Sequence, residues 1–384
     1  MSIGWSRWGV LGIAGIAAVG LLGGCGGYPA SLHPSWETGH EQVLSKYQVS
    51  KQPTTWLYSV RFTSAARGFA VGDSGTLLTT GNGGRHWRRR VLHAPGGLDE
   101  GLRSVAFNQS GTDGIIVGNS GTVWYSTDRG TTWQQASSGT ENDLEAVTFT
   151  GKTTAVAVGD NGTILKSGDG GASWTAEPSG TSIDLRAVSF ASPADGVAVG
   201  DHGVIAVTRD GGTSWSVSFT PVEAWLRTVF MVPGTGIGYA SGTNPFVNGS
   251  PQSAHPAPIF VTKDGGRTWT EEANGLGATQ FGYVTSFYFT GPKTGYAAST
   301  DGSVYYTTDG GKTWKAVFTQ AKGTDYWLES VTVAPGGAVW VVGTPSTSGP
   351  GGYQTGVVTI LKSTDGGKSW TSAGHLMRPG TATS

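Results

Sequence analysis

One string recurs seven times along the chain and restricts the fold more than any other feature. It reads Ser or Thr, any residue, Asp, any residue, Gly, any two residues, Trp. The copies are Thr80, Asn82, Gly84, Trp87; Ser126, Asp128, Gly130, Trp133; Ser167, Asp169, Gly171, Trp174; Thr208, Asp210, Gly212, Trp215; Thr262, Asp264, Gly266, Trp269; Thr307, Asp309, Gly311, Trp314; and Ser363, Asp365, Gly367, Trp370. Successive tryptophans stand 46, 41, 41, 54, 45 and 56 residues apart. An alternating apolar run precedes each copy, such as Leu185 to Phe190, with counterparts starting at Leu57, Leu102, Leu144, Leu226, Val284 and Leu328. A Gly-Asp-x-Gly string such as Gly159 to Gly162 joins the two in most units. Each unit therefore reads as four short strands separated by glycine turns, the pattern of a propeller blade. The fold predicted is all-β: a seven-bladed β-propeller of four-stranded antiparallel blades over residues 56–375.

Composition excludes the competing classes. Glycine supplies 64 of 384 residues, more than twice the usual share, but without a Gly-X-Y period, so the chain is not collagen-like. Charged residues make up 13% and there are 15 tryptophans, against the composition of a long disordered chain. A formal net charge of −1 gives no electrostatic basis for binding nucleic acid. One cysteine permits no internal disulfide and no cysteine-built zinc site.

The recurring turn has a physical logic. The aspartate accepts hydrogen bonds from the N–H groups that follow it. The glycine two residues on can adopt positive φ. The tryptophan opens the fourth strand and packs against a sheet. One carboxylate per turn is too few ligands for calcium, so these positions are read as structural, and neither metal nor cofactor is expected.

The N-terminus reads as a targeting segment. Arg7 precedes an uncharged run from Gly9 to Leu22, shorter than the roughly 20 apolar residues of a membrane-spanning helix. Leu22, Gly23, Gly24 and Cys25 resemble a bacterial lipobox. That resemblance implies a lipoprotein signal peptide at 1–24 and acylation of Cys25, holding an exported protein at the cell membrane, or the outer membrane where the host has one. Residues 25–55 then form a lipidated tether with a short helix near Glu37–Tyr47, and residues 376–384 a disordered tail.

The seven turns resemble the Asp-box, or bacterial neuraminidase repeat. The fuller string, Val-Gly-Asp-x-Gly-Thr and then Thr-x-Asp-Gly-Gly-x-Thr-Trp, resembles the photosystem II assembly and stability factors of cyanobacteria and chloroplasts, across residues 56–371. The resemblance implies a seven-bladed propeller, known also in lipoprotein form. It further implies an arginine patch for chlorophyll-protein subunits, in which Arg103, Arg186 and Arg227 would take part.

An antiparallel meander puts the Gly-Asp-x-Gly turns and the blade-to-blade loops at one end of the barrel and the Asp turns at the other. The first end carries Asp73, Asn119, Asp160 and Asp201, whose side chains are expected to cap their own turns. It also carries the residues before each first strand: Trp56, Asp143, Asp184, Trp225, Tyr283 and Trp327. The second residues of the first strands are Tyr58, Arg103, Glu145, Arg186, Arg227, Thr285 and Glu329. They are expected to line the channel, either as an ion network between blades or as a ligand-gripping rim. Segments 242–258 and 344–356 replace the short turns between second and third strands in units five and seven, and are expected to wall part of the same face. Arg85 and Arg88 to Arg90 form the only basic run. It falls on the outer strand of blade one, where charge blocks edge pairing or meets anionic headgroups.

No Gly-x-Ser-x-Gly or His-Glu-x-x-His string is present, nor the early Arg-Ile-Pro string of sialidases. Asp143, Glu145, Asp184 and Glu329 are the only carboxylates that could pair for glycoside hydrolysis. The expectation is a monomeric, non-catalytic binding or assembly scaffold for a membrane or envelope protein, with no nucleic-acid partner. The alternative is a glycan-binding or glycoside-hydrolysing surface protein of the sialidase-like propeller type.

Overall fold

The computed structural model describes residues 56–93, 101–243, 258–272, 276, 282–320, 326–345 and 359–373, with the backbone of the short strands Phe246–Val247, Ser250–Pro251 and Leu376–Met377. Seven antiparallel sheets, each of four sequential strands, follow one another along the chain. Their innermost strands are Leu57–Phe62, Leu102–Phe107, Leu144–Phe149, Leu185–Phe190, Trp225–Met231, Val284–Phe289 and Tyr326–Val333. Each lies beside the next, and the seventh lies beside the first. The seven-bladed propeller read from the repeats is the fold observed.

The core lies between blades. The second strands, such as Ala155–Gly159 (Ala-Val-Ala-Val-Gly), are buried along their whole length. Ala155 and Ala157 face Ile115 and Val117 of blade two, while Val156 and Val158 face Ala198 and Leu185 of blade four. Small and β-branched residues suit a strand covered on both faces. Seven apolar clusters result, one at each blade junction.

The recurring turn fastens each junction. In all seven copies the Ser or Thr hydroxyl donates to the Asp (or Asn82) side-chain oxygen at 2.8–3.0 Å. The same oxygen of that hydroxyl accepts the buried glycine N–H at 2.8–3.0 Å. The glycine has φ between 74° and 96° and touches the preceding blade. A Cβ on Gly171 would stand 2.7 Å from Ile115 of blade two. Trp87 begins its strand, Trp87–Val91; in the other blades the fourth strand starts one residue after the tryptophan. In blades one, two, four and six the indole meets the aromatic ring at the end of its own first strand edge-on, as in Phe62–Trp87 and Phe289–Trp314 at 5.9 and 5.7 Å.

Blades seven and one close the ring through several contacts. The Val60 N–H donates to Ser330 Oγ at 3.3 Å, Lys362 Nζ donates to the Gly83 carbonyl at 2.9 Å, and Phe62 stacks on Trp340 at 4.4 Å. Two expectations need correction here. Leu376 and Met377 do not lie in a structureless tail, because their backbone pairs in parallel with Trp87 and Arg88. The arginine-bearing strand Trp87–Val91 is consequently the fourth of five strands in its sheet, paired on its outer side at Trp87 and Arg88. The signal peptide, Cys25, the 25–55 tether and its helix lie outside the described residues, which begin at Trp56.

Candidate functional site

All seven first strands share one irregularity. In each, pairing with the second strand skips one residue: Tyr58, Arg103, Glu145, Arg186, Arg227, Thr285 and Glu329. A bulge leaves one residue outside the ladder and re-aims its side chain. In six of the blades a glycine of the second strand faces it. A Cβ at Gly72, Gly118, Gly159, Gly200, Gly242 or Gly343 would fall within 1.8–2.1 Å of the carbonyl of the residue before the first strand. In those six blades backbone approaches backbone so closely that a side chain there would clash. Blade six carries Ser299 at this position.

The bulged residues touch one another around the axis. The Arg103 guanidinium lies 4.7 Å above the Tyr58 ring and 4.0 Å from Glu145. Arg186 is the hub. It meets Glu145 at 2.7 Å, Asp160 at 2.8 Å, Asp184 at 2.7 Å and Asp201 at 3.0 Å, with its side chain 17% exposed. Arg227 reaches Asp201 at 3.4 Å and lies over the Trp225 ring at 5.8 Å. Thr285 donates to the Leu328 carbonyl of blade seven at 2.6 Å. Of the two sequence readings for this series, the inter-blade ion network is present.

The turn residues behave differently from expectation. Asp73 accepts from the Tyr58 hydroxyl at 2.8 Å, Asn119 from Arg103 at 2.8 Å, and Asp160 and Asp201 from Arg186. Their side chains address the bulged residues instead of capping their own turns. Capping comes from the blade that follows. Asp143 accepts the Ser120 N–H, and Asp184 the Asn161 N–H, both at 2.8 Å. Ser120 and Asn161 have φ of 52° and 55°, so each carboxylate secures a strained turn. Trp225 meets the next such residue, His202, edge-on at 6.2 Å, and His202 Nδ1 lies 3.0 Å from Glu223. Ser120, Asn161, His202 and Glu223 were not singled out in the sequence. Only their fixed spacing from the glycine turn could have marked them.

Electrostatics differ between the two halves of the face. Burial would lower the Arg186 guanidinium, but Asp201, Glu145 and Asp160 hold it above its ordinary value. Asp160 is raised by burial and by Asp184, Glu145 and Asp143, against the pull of Arg186. Across the channel, burial pushes Glu329 up to about 7 despite Arg103. Burial, then the hydrogen bond to Asp73, also raises Tyr58, and burial with Glu329 nearby raises Tyr283. Trp56 and Tyr283 are half-buried on this side, while Trp327 is 42% exposed. The face thus joins a self-neutralising ionic half to an aromatic half. Among the described residues no cluster of three or more His, Cys, Asp or Glu is arranged to hold a metal ion. Most of 242–258 and 344–356 lies outside the described residues, and the ends that are described lie between second and third strands, with the pair Phe246–Val247 and Ser250–Pro251 inside the first insertion.

Comparison with known proteins places this geometry. A family described as Photosynthesis system II assembly factor YCF48 matches residues 40–182 and 179–329. A Synechococcus sp. (strain CC9902) protein named Photosystem II assembly lipoprotein Ycf48 is 36% identical over 74 residues, 19% of this chain and 22% of that relative's length. A structure of YCF48 bound to a D1 peptide superposes with a TM-score of 0.60 at 19% identity, over 76% of this chain and 90% of the other. YCF48 from Cyanidioschyzon merolae gives 0.60 at 18% identity over 77% and 95%, and the WD40 propeller of Doa1 gives 0.56 at 11% over 77% and 91%. The structural likenesses establish the propeller, and the family match spans most of the chain. On that match, the chain belongs to the Photosynthesis system II assembly factor YCF48 family.

Proposed function

We propose that the protein is a non-catalytic assembly factor that binds an extended segment of a membrane protein on the face carrying the bulged residues. One observation carries the reading: the family match runs through residues 40–329 and so includes all seven bulge positions. The relative named as a photosystem II assembly lipoprotein and the solved YCF48 with its D1 peptide support a membrane-protein subunit as the partner class. Arg186 spends its donors on four carboxylates, so Arg103 and Arg227 are the arginines with donors left for a ligand. Trp327 supplies the exposed aromatic anchor that peptide and protein interfaces favour. The recurring turn is read as an Asp-box with a structural role, and the chain as exported and held by a lipid on Cys25, acting as a monomer.

The glycan-cleaving alternative is not favoured. Glu145 and Asp184, two of its four candidate acids, are both bound to Arg186, and Asp143 caps a turn. An array of peptides from the extramembrane segments of the host's membrane proteins tests the binding claim. Trp327→Ala and Arg103→Ala should each weaken the positive peptides about tenfold with thermal melting unchanged. Equal binding by both variants would remove the face from the account. Radioactive fatty acid should label the wild type and not Cys25→Ser; label on both would end the anchoring claim.

A further inference from the structure

The outer strand of blade one carries a charged surface that the binding face does not use. Residues 56–93 contain Arg61, Arg67, Arg85, Arg88, Arg89 and Arg90 against a single acid, Asp73, in a chain of net charge −1. Arg85, His86, Arg88 and Arg90 are all exposed. On the strand Trp87–Val91, Arg88 and Arg90 alternate onto one face. With Thr79, Gly81, Asn82 and His86 they line a shallow groove. Arg90 Nη1 bridges to the Thr131 carbonyl of blade two at 2.9 Å, and Arg67 Nη1 to the Arg129 carbonyl at 3.0 Å. The exposed Arg129 therefore adds its charge at the same junction. Among the described residues no carboxylate lies within salt-bridge distance of Arg85, Arg88, Arg90 or Arg129.

Two further observations separate this surface from ordinary edge protection. Leu376–Met377 already pair with the start of the strand's edge, at Trp87 and Arg88, so charge is not needed to repel another strand there. The turn of blade one is also the one copy in which Asn82 replaces Asp and His86 replaces Ser or Thr. Asn82 keeps two of the turn's hydrogen bonds, accepting from Thr80 and from the His86 N–H at 3.0 Å each, but not the third, which a Ser or Thr hydroxyl gives to the Asp of the other six copies. The substitution therefore removes a negative charge from the groove beside Arg85, Arg88 and Arg90 while the turn stays closed on Thr80.

We infer that this rim of blade one docks on an anionic bilayer surface, its arginines meeting the phosphate headgroups. Guanidinium groups suit phosphate oxygens, and basic residues near an anionic leaflet act additively over about a Debye length. The inference does not depend on lipidation or on the binding face. It would set the propeller's orientation at the membrane whichever partner the face takes.

Co-sedimentation of the full chain with vesicles tests it, in a Cys25→Ser background so that no acyl chain contributes. Vesicles of phosphatidylcholine alone are compared with vesicles containing about one-third phosphatidylglycerol. Binding to the anionic vesicles should exceed binding to the neutral ones and fall steeply at 0.5 M salt, a concentration chosen to collapse the roughly 10 Å screening length of dilute buffer. Arg85→Gln/Arg88→Gln should lose about fivefold per arginine, so about 25-fold together. Lys312→Gln/Lys315→Gln, on an exposed part of blade six, should lose nothing. Asn82→Asp should weaken binding while leaving the turn and the melting temperature intact. Equal binding of the arginine variant overturns the inference. So does displacement of the protein by millimolar inorganic phosphate at constant ionic strength, which would indicate a free-phosphate site. Tighter, arginine-dependent binding to polyglutamate than to vesicles overturns it in favour of an acidic protein partner.

Discussion

Arg186 shows how one side chain can be both conspicuous in the sequence and unavailable to a partner. Its four carboxylates come from two blades: Glu145 and Asp160 from blade three, and from its own blade Asp184, just before its strand, and Asp201 in the following turn, whose other oxygen draws in Arg227 of blade five. Removing the guanidinium leaves mutually repelling acids in a partly buried ring. Arg186→Met should lower unfolding free energy by about 3 kcal/mol, measured by urea denaturation at pH 7, and the loss should shrink as the acids protonate at low pH. Glu329 behaves oppositely. Its carboxyl is raised from an ordinary 4.5 to about 7, so the folded state holds the proton more tightly than the unfolded chain. Stability from this group is greatest below pH 4.5 and falls as pH rises to about 7. Glu329→Gln should remove that slope, and an unchanged pH profile of denaturation would mean that Glu329 ionises normally. The sequence placed both residues in the channel series. It did not separate a saturated arginine from available ones, because the partners of Arg186 lie up to 41 residues away.

Among the elements, the recurring turn was legible residue by residue and the bulge was not. The turn's contacts are local: hydroxyl, carboxylate and glycine N–H lie within five residues, so the string itself states the geometry. The bulge is a matter of pairing register between two strands, which a single string does not show. Each turn carboxylate sits below its ordinary value. At Asp169, Asp210, Asp309 and Asp365 hydroxyl hydrogen bonds lead; at Asp128 and Asp264 burial opposes the shift, and the hydrogen bonds from Thr132 and Thr268 outweigh it. Asp128, Asp264, Asp309 and Asp365 fall to about 2. Their contribution is therefore present above the ordinary carboxylate range and lost as pH falls from about 4 towards 2. Circular dichroism should show unfolding concentrated in that window. Ser167→Ala leaves the buried Gly171 N–H without its acceptor and should cost about 1–3 kcal/mol. Gly171→Ala, with φ of 96° and Ile115 at 2.7 Å, should cost at least as much, and a neutral result would show that the junction yields easily.

The propeller is a ring whose first and last blades are each built from one end of its sequence, so closure depends on contacts between distant residues. Leu376–Met377 add a strand to blade one, a role that a short C-terminal segment gives no sign of in the sequence. Truncation after residue 375 should lower the melting temperature and promote association through the uncovered edge; unchanged melting and a monomeric elution profile would show that the side-chain contacts suffice. Charge is also divided at this scale, with the carboxylate-rich network on the turn face and the arginine groove on the rim of blade one. The partner claim is tested most directly by cross-linked pull-down from the source organism's membranes, using the full chain and its Trp327→Ala/Arg103→Ala variant. The expected result is one membrane protein captured in stoichiometric amount by the wild type and lost with the variant. Equal capture by both proteins, or no capture by the wild type, would contradict a scaffold that works through this face.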